Sequence, residues 1–459
     1  MSAMSIPHSR IRRIALGIAA VFPLALLAAC GAQTGGTERP DIVLLVLDTM
    51  RADSFAYQGE REGLAPFLDR LASEGAVFPE AFSSSSWTAP STATLMTGVY
   101  PDRHGVRQGF LAQVRHAGGV GNAAEVEDIH LARIRSTVPT LAESLAGAGY
   151  RTFGIATNIN IGPEMGFDRG FDRFRREEEW SAGKVANLLA DWKEDLAAAS
   201  PFFLYLHLND VHKPYDLRKK WFHADRLEEG RPPEYALYQS EIGYLDHWIE
   251  EMWKDLGLGE DTLLVVVSDH GEEFLDHGGM GHHLTLFQEV NRILYLFHGP
   301  GLGIRPGVHA EAVSGIDLLP TILSFAGVAD VPGARDGVSL VPLLRAEAGL
   351  PEDDALERTL SERTLFAHRW GNDLNLYAAI QGGWKRIEGP FGTWLYDLRV
   401  DRTERNDLSK QEPDRLRALG EALEAYRARD FTGPSEETDV GIDDELLRKL
   451  EELGYVSRQ

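Results

Sequence analysis

The sequence predicts an α/β fold: a mostly parallel sheet flanked by helices, with a smaller C-terminal α+β subdomain. Three observations carry this expectation. Segments of strand and helix character alternate along most of the chain. The strand-like runs are continuously apolar and rich in β-branched residues, the pattern of strands covered on both faces. Several of those runs end in polar clusters, and ligands of open α/β sheets sit beyond the carboxyl ends of the strands.

The elements follow in chain order. "DIVLLVLDTMRAD" reads as a buried strand, Ile42 to Leu47, that delivers Asp48 at its carboxyl end. "APFLDRLASEG" and "VPTLAESLAGAGY" read as helices. "RTFGIATN", "PFFLYLHLND" and "DTLLVVVSDHG" read as further strands, the last two ending in Asn209–His212 and Asp269–Gly271. The stretch from Arg107 to Arg135 has weak periodicity and a Gly-rich middle, and reads as a surface insertion or lid. Past Pro332 the pattern changes to short strands, with Gly382-Gly383 as a hairpin signal. "PDRLRALGEALEAYRAR" then reads as a helix. The tail "DDELLRKLEELGYV" sets Leu446, Leu447, Leu450 and Leu453 on one helical face.

Composition narrows the function. The 459 residues carry a formal net charge of −24, which argues against a nucleic-acid binder, since such proteins show a basic face. Cys30 is the single cysteine, so no intramolecular disulfide forms. It follows Arg10, Arg12, Arg13 and an apolar run from Ile14 to Ala29, the layout of a signal peptide. Residues 1–29 are therefore expected to be a leader, 30–40 a tether, 41–330 the catalytic domain, 331–430 a C-terminal subdomain and 431–459 a tail helix. "LAAC", Leu27 to Cys30, resembles a bacterial lipobox. That resemblance implies cleavage before Cys30, lipidation of its thiol and a lipid-anchored protein of the bacterial envelope. Gly31 suits outer-membrane sorting, facing the periplasm or the surface.

The order of the motifs resembles the sulfatase branch of the alkaline phosphatase superfamily. "DIVLLVLDTMRAD", "TAPSTATLMTGVYPDRHGV", "VPTLAESLAGAGYRTFGI", "GFDRGFDRF", "HLNDVHKPY", "SDHGEEFLDHG" and "LYDLRVDRTERNDLS" carry the resemblance from about Asp41 to Arg402. It implies that Asp48, Asp269 and His270 bind a divalent metal, with the Thr88 oxygen alongside. It aligns His212 with a proton donor to the leaving oxygen, and His282 or His283 with a group that contacts the transferred anion. Asn158 is a candidate for facing substrate. Asp210 is a candidate ligand of a second metal, although one metal is favoured. His104 and His277 read as structural.

The sequence departs from the family pattern at two positions. Thr88 stands where sulfatases carry the Cys or Ser that is oxidised to formylglycine, and Thr92 stands at the signature Arg. A threonine would give a ketone, so the usual sulfatase nucleophile is not expected. Superfamily relatives that transfer phosphoryl groups use a Thr here, which points to a phosphate ester or diester attacked by Thr88. Two readings compete: hydrolysis of a sulfate ester without formylglycine, and an inactive envelope- or glycan-binding lipoprotein. Zinc or manganese is expected over calcium, because His270 offers imidazole and Thr49 replaces a second Asp.

Overall fold

The computed structural model describes residues 39–58, 63–110, 112–113, 128–178, 180–227, 230–282, 284–329, 335–345, 351–371, 374–429 and 436–441. The leader, Cys30, most of the tether, His283 and the tail helix lie outside these residues. Arg39–Gln459 forms one compact unit, so the C-terminal sheet belongs with the larger α/β part rather than apart from it. No helix among the described residues is long and apolar enough to cross a membrane.

The core is an eight-stranded sheet in the order Gly307–Val308, Ala76–Val77, Tyr295–His298, Leu263–Ser268, Ile42–Leu47, Phe202–Leu208, Arg151–Ala156, Arg173–Arg176. Ile42–Leu47 runs parallel to both of its neighbours, and Tyr295–His298 is antiparallel to Leu263–Ser268. Alternate residues of the central strand feed two cores. Ile42, Leu44 and Val46 pack with Ala89, Ala93, Leu145 and Ile322 on one face. Val43, Leu45 and Leu47 pack with Leu68, Leu189, Trp192 and Ile242 on the other. A continuous apolar run is what such a doubly covered strand requires.

Register explains why the polar strand ends meet. Leu47 is level with Leu208 on one side and Ser268 on the other. Asp48, Asn209 and Asp269, one residue further on, therefore leave the sheet side by side. Ala156 is level with His207, so Thr157 and Asn158 emerge at the same edge.

The helices agree with the reading of the sequence in kind and differ at some ends. Leu141–Gly147 starts with a capping box, Thr140 and Glu143 satisfying each other's backbone N–H groups. The helix after the serine-rich loop spans Thr88–Thr97, with Trp87 as N-cap, and begins before the Pro90 that signals it in the sequence. It ends at Gly98, whose φ of 64° supplies the left-handed C-cap.

The C-terminal part is a four-stranded antiparallel sheet, Leu365–Arg369, Leu376–Gln381, Trp384–Gly389 and Gly392–Asp397, with the helix Pro413–Arg427 against it. The hairpin glycines have φ of 57° and 78°, conformations that a side chain would strain. The end of the Arg107–Arg135 stretch is not a loose insertion. Asp128–Ala132 forms a strand that pairs antiparallel with Glu437–Gly441, a partner the local pattern cannot announce.

Candidate active site

Three side chains converge where the central strands end. Asp48, Asp269 and His270 each bring one ligand atom within 4.8 Å of the others, and all three are buried. Asp269 Oδ1 accepts the backbone N–H groups of Thr49, at 3.2 Å, and His270, at 2.8 Å. Its Oδ2 and Asp48 Oδ1 are buried without a hydrogen-bond partner among the described residues. Two orphaned carboxylate oxygens facing one space are costly unless a cation satisfies them. His270 Nδ1 donates to the Gly271 carbonyl at 2.9 Å, which turns the Nε2 lone pair toward the same space. The donor set fits a divalent cation held by two carboxylates and one imidazole.

The electrostatics follow from burial. Burial, together with Asp269 nearby, pushes the Asp48 carboxyl up to about 6. Burial pushes Asp269 up to about 7 and lowers His270. The largest influences on Asp48 are burial, Asp269, His212, His270 and Asn158, with no lysine or arginine among them.

Thr88 lies at this cluster. Its Oγ1 is 3.3 Å from His270 Nε2 and 3.5 Å from Asp48 Oδ2. As the first residue of its helix rather than the N-cap, Thr88 does not use its hydroxyl to close the helix end, and none of the capping is done by a side chain. Three neighbouring hydroxyls are engaged elsewhere. Ser83 Oγ donates to the Ser85 carbonyl, Ser84 Oγ to Thr94 Oγ1, and Ser91 Oγ to the Thr88 carbonyl. Ser86 Oγ is buried without a partner among the described residues.

The second layer of the site holds Asp48. Asn158 Nδ2 donates to Asp48 Oδ2 at 2.6 Å and to Asn209 Oδ1 at 3.1 Å, while its Oδ1 accepts the Asn160 backbone N–H at 2.8 Å. Asn158 thus orients a candidate ligand and closes a turn. Asp210 is engaged at a helix start. Both of its oxygens accept the Ala182 N–H, at 2.9 and 3.0 Å, at the start of the helix Ala182–Ala197, and it is not part of the metal-capable group.

His212 and His282 flank the cluster. Their ring centroids are 5.3 Å apart, and that of His282 is 4.4 Å from that of His270. His212 Nδ1 donates to the Lys213 carbonyl at 2.7 Å. His104 and His277 serve the framework. His104 bonds Thr94 Oγ1 and the Val106 N–H, and His277 bonds Glu289 and the Glu404 carbonyl.

The conformation of Thr49 and the places of His207 and Glu272 escape a reading of the sequence alone. Thr49 is β-branched yet has φ of 55°, a strained conformation. It is held there by its N–H on Asp269, its Oγ1 on the Val211 carbonyl at 3.1 Å and the Tyr238 hydroxyl on its carbonyl at 3.0 Å. Its hydroxyl is turned to Val211 and is not among the ligand atoms of the cluster. His207 is fully buried, with Nε2 4.0 Å from Asp48 Oδ2, and burial and His270 push it down to about 3. A polar residue within "FFLYLHL" is the signal that could have found it. Glu272, two residues after His270, is buried and accepts from His282 Nδ1 at 3.0 Å.

The comparisons with known proteins agree on one family. The family model named Sulfatase matches residues 40–328. The Delta 4,5-hexuronate-2-O-sulfatase of Bacteroides thetaiotaomicron is 23% identical over 465 residues, covering 86% of this chain and 89% of that one. Choline-sulfatase of Rhizobium meliloti is 24% identical, covering 82% and 83%. Human arylsulfatase A is 28% identical, covering 70% and 71%. Among solved structures, Ps i-CgsB in complex with k-i-k-neocarrahexaose superposes with a TM-score of 0.68 at 18% identity, covering 87% of this chain and 95% of that one. A 2-O GAG sulfatase superposes with a TM-score of 0.67 at 19% identity, covering 86% and 93%.

Proposed function

The chain belongs to the sulfatase family, and from that premise we propose that it hydrolyses a monoanionic ester, in first place a phosphate diester, by double displacement through Thr88. The observation that carries the reading is the position of Thr88 Oγ1, within 3.5 Å of both His270 Nε2 and Asp48 Oδ2 at the N-terminus of a ten-residue helix.

A divalent cation held by Asp48, Asp269 and His270, zinc or manganese by the donor chemistry, supplies positive charge that acidifies a nearby hydroxyl and offsets charge on the transferred group. The residues do the rest. Thr88 gives up its proton to solvent and forms the Oγ1–phosphorus bond as the bond to the leaving alcohol breaks. His212 protonates the departing oxygen. His282 contacts the oxygens of the group in flight, and the free N–H groups of the helix add partial positive charge. In the second step water attacks the same phosphorus, His212 recovers its proton from that water, and Thr88 departs and is reprotonated.

The signature Arg replaced by Thr92 removes a cationic group and favours a monoanion. A phosphate diester and a sulfate monoester share that charge. The nucleophile separates them: a threonine cannot become the aldehyde whose hydrate attacks sulfur, whereas a phosphothreonine is released by water. Sulfate monoester hydrolysis is the second reading, favoured by the sulfatase names of the matched relatives. Turnover of bis-p-nitrophenyl phosphate, p-nitrophenyl phosphate, a phosphonate monoester and p-nitrophenyl sulfate, each with zinc and with manganese, separates the readings. Turnover of the sulfate alone would overturn the first.

We also propose that the protein is anchored to a bacterial envelope membrane by lipid on Cys30. The support is the Leu27–Cys30 motif after the apolar run. Cys30→Ser is expected to move the protein from the membrane to the soluble fraction or to stall its maturation. A wild type without lipid would sink the proposal.

A further inference from the structure

We propose that Glu272 is a positioning residue: it fixes the ring of His282 so that Nε2, not Nδ1, addresses the transferred group. The proposal rests on the reading of the site as one that transfers an anionic group.

Each part of the contact is built to hold one geometry. His282 Nδ1 meets Glu272 Oε1 at 3.0 Å, and both side chains are buried. An imidazole held at Nδ1 has its Nε2 on the opposite edge of the ring. That ring stands beside His270, at 4.4 Å between centroids and 40° between planes, and beside His212 at 5.3 Å. Glu272 is itself restrained. Its carbonyl accepts from Arg51 Nη1 at 2.8 Å, and Arg51 is pinned by Asp53 and Asp276. The Tyr215 side chain is a neighbour of the same carboxyl group. Tyr215 closes the "VHKPY" segment that carries His212, so the carboxyl that bonds His282 lies beside the segment of the other histidine.

A carboxylate on the far nitrogen of a histidine fixes its tautomer and its direction. Without Glu272 the ring loses this anchor at Nδ1, and its orientation is less fixed. An anion would then meet a mixture of orientations instead of one preorganised donor.

The test is the binding of inorganic phosphate to the zinc-loaded protein by titration calorimetry, which needs no turnover. Glu272→Ala is expected to weaken phosphate binding about 10–100-fold. Glu272→Gln, whose amide oxygen still accepts from Nδ1, is expected to keep most of it. In the background of His282→Ala, Glu272→Ala is expected to cost nothing further, because the two act as one unit. An additive loss in that double variant, or wild-type binding by Glu272→Ala, overturns the proposal. If Glu272→Ala does not fold, the nitrogen spectrum of His282 in the wild type decides: a hydrogen-bonded Nδ1 supports the assignment, and an unbonded Nδ1 refutes it. Phosphate binding that depends on Glu272 in a protein that turns over no ester would refute the hydrolase reading and leave this one standing.

Discussion

Thr88 differs from serine by one methyl group, and that methyl decides what the site can become. Oxidation of this secondary alcohol would give a ketone and not the aldehyde of formylglycine, so the oxygen that stands at His270 and Asp48 is available to the chemistry only as an alcohol. Thr88→Ala is expected to abolish turnover with the fold intact, and Thr88→Ser to retain part of it. Rapid quench with a good substrate, followed by peptide mapping by mass, checks this: the adduct should sit on the peptide containing Thr88. An adduct on a peptide modified at Ser86 instead, or full turnover by Thr88→Ala, would defeat the mechanism. Asp48, Asp269 and His270 were legible because each follows an apolar run, and a strand end is where an α/β sheet presents chemistry. Asn158 and Asp210 were legible as polar strand ends too, but what they bond depends on partners brought by folding. Asn158 meets Asp48, and Asp210 meets the Ala182 N–H. Glu272 and His207 have no spacing rule to announce them, since each acts through a side chain distant from its own turn of chain or strand.

At the scale of elements, the strands were read from composition because doubly covered parallel strands need uninterrupted apolar residues. The pairing of Asp128–Ala132 with Glu437–Gly441 was not legible, since the two halves are far apart in sequence and neither is strongly apolar. The helix Pro233–Leu256 shows a cost that only the packed element reveals. Glu241 is buried on it, accepts the Asp216 N–H at 3.1 Å and lies 3.4 Å from Arg218, while its Oε2 has no partner among the described residues. Burial pushes its carboxyl up to about 9. The folded state then holds the proton that the unfolded chain releases near the ordinary value, so stability from this group is full at acid pH. It falls as pH rises from the unfolded value toward about 9. Glu241→Gln keeps the acceptor for Asp216 and removes the titration. It is expected to match the wild type near the unfolded pKa and to exceed it at neutral to alkaline pH, by about 1–3 kcal/mol. Denaturant midpoints of both proteins across pH check this, and a constant difference would show that Glu241 does not titrate on folding.

At the scale of the molecule, the site and the C-terminal sheet depend on each other. Ser85, in the loop before Thr88, forms a β-bridge with His368, whose N–H donates to the Ser84 carbonyl at 2.9 Å. The sheet edge thereby supports the segment that presents Thr88. Cation loading acts on the same unit. The orphaned oxygens of Asp48 and Asp269 gain a partner only in the folded state, so saturating zinc is expected to raise the melting temperature. Asp48→Asn and Asp269→Asn should each abolish that rise together with zinc content measured by mass spectrometry. A zinc-induced rise of wild-type size in both variants would put the cation elsewhere.

A buried ion pair within the C-terminal part stands behind one contact with the rest of the molecule. Lys385 Nζ, on the C-terminal sheet, lies 3.0 Å from Glu404 Oε1, and both side chains are fully buried. Glu404 passes the contact on. Its Oε2 accepts the Gln288 N–H at 2.6 Å, and its carbonyl bonds to His277 Nε2, on the segment that follows the candidate metal residues. A pair shut away from water gains little over apolar packing when both partners are present, but the loss of one leaves a charge with no compensation. Lys385→Met should therefore destabilise the protein by about 3–5 kcal/mol, while Lys385→Met with Glu404→Gln should recover most of the loss. Chemical denaturation measures both, and the zinc-induced rise in melting temperature reads the consequence for the site. If Lys385→Met alone leaves stability unchanged, the pair is not what couples the sheet to the segment around His277. If it lowers stability and the double variant does not recover it, the loss comes from the packing of the lysine stem and not from the stranded carboxylate.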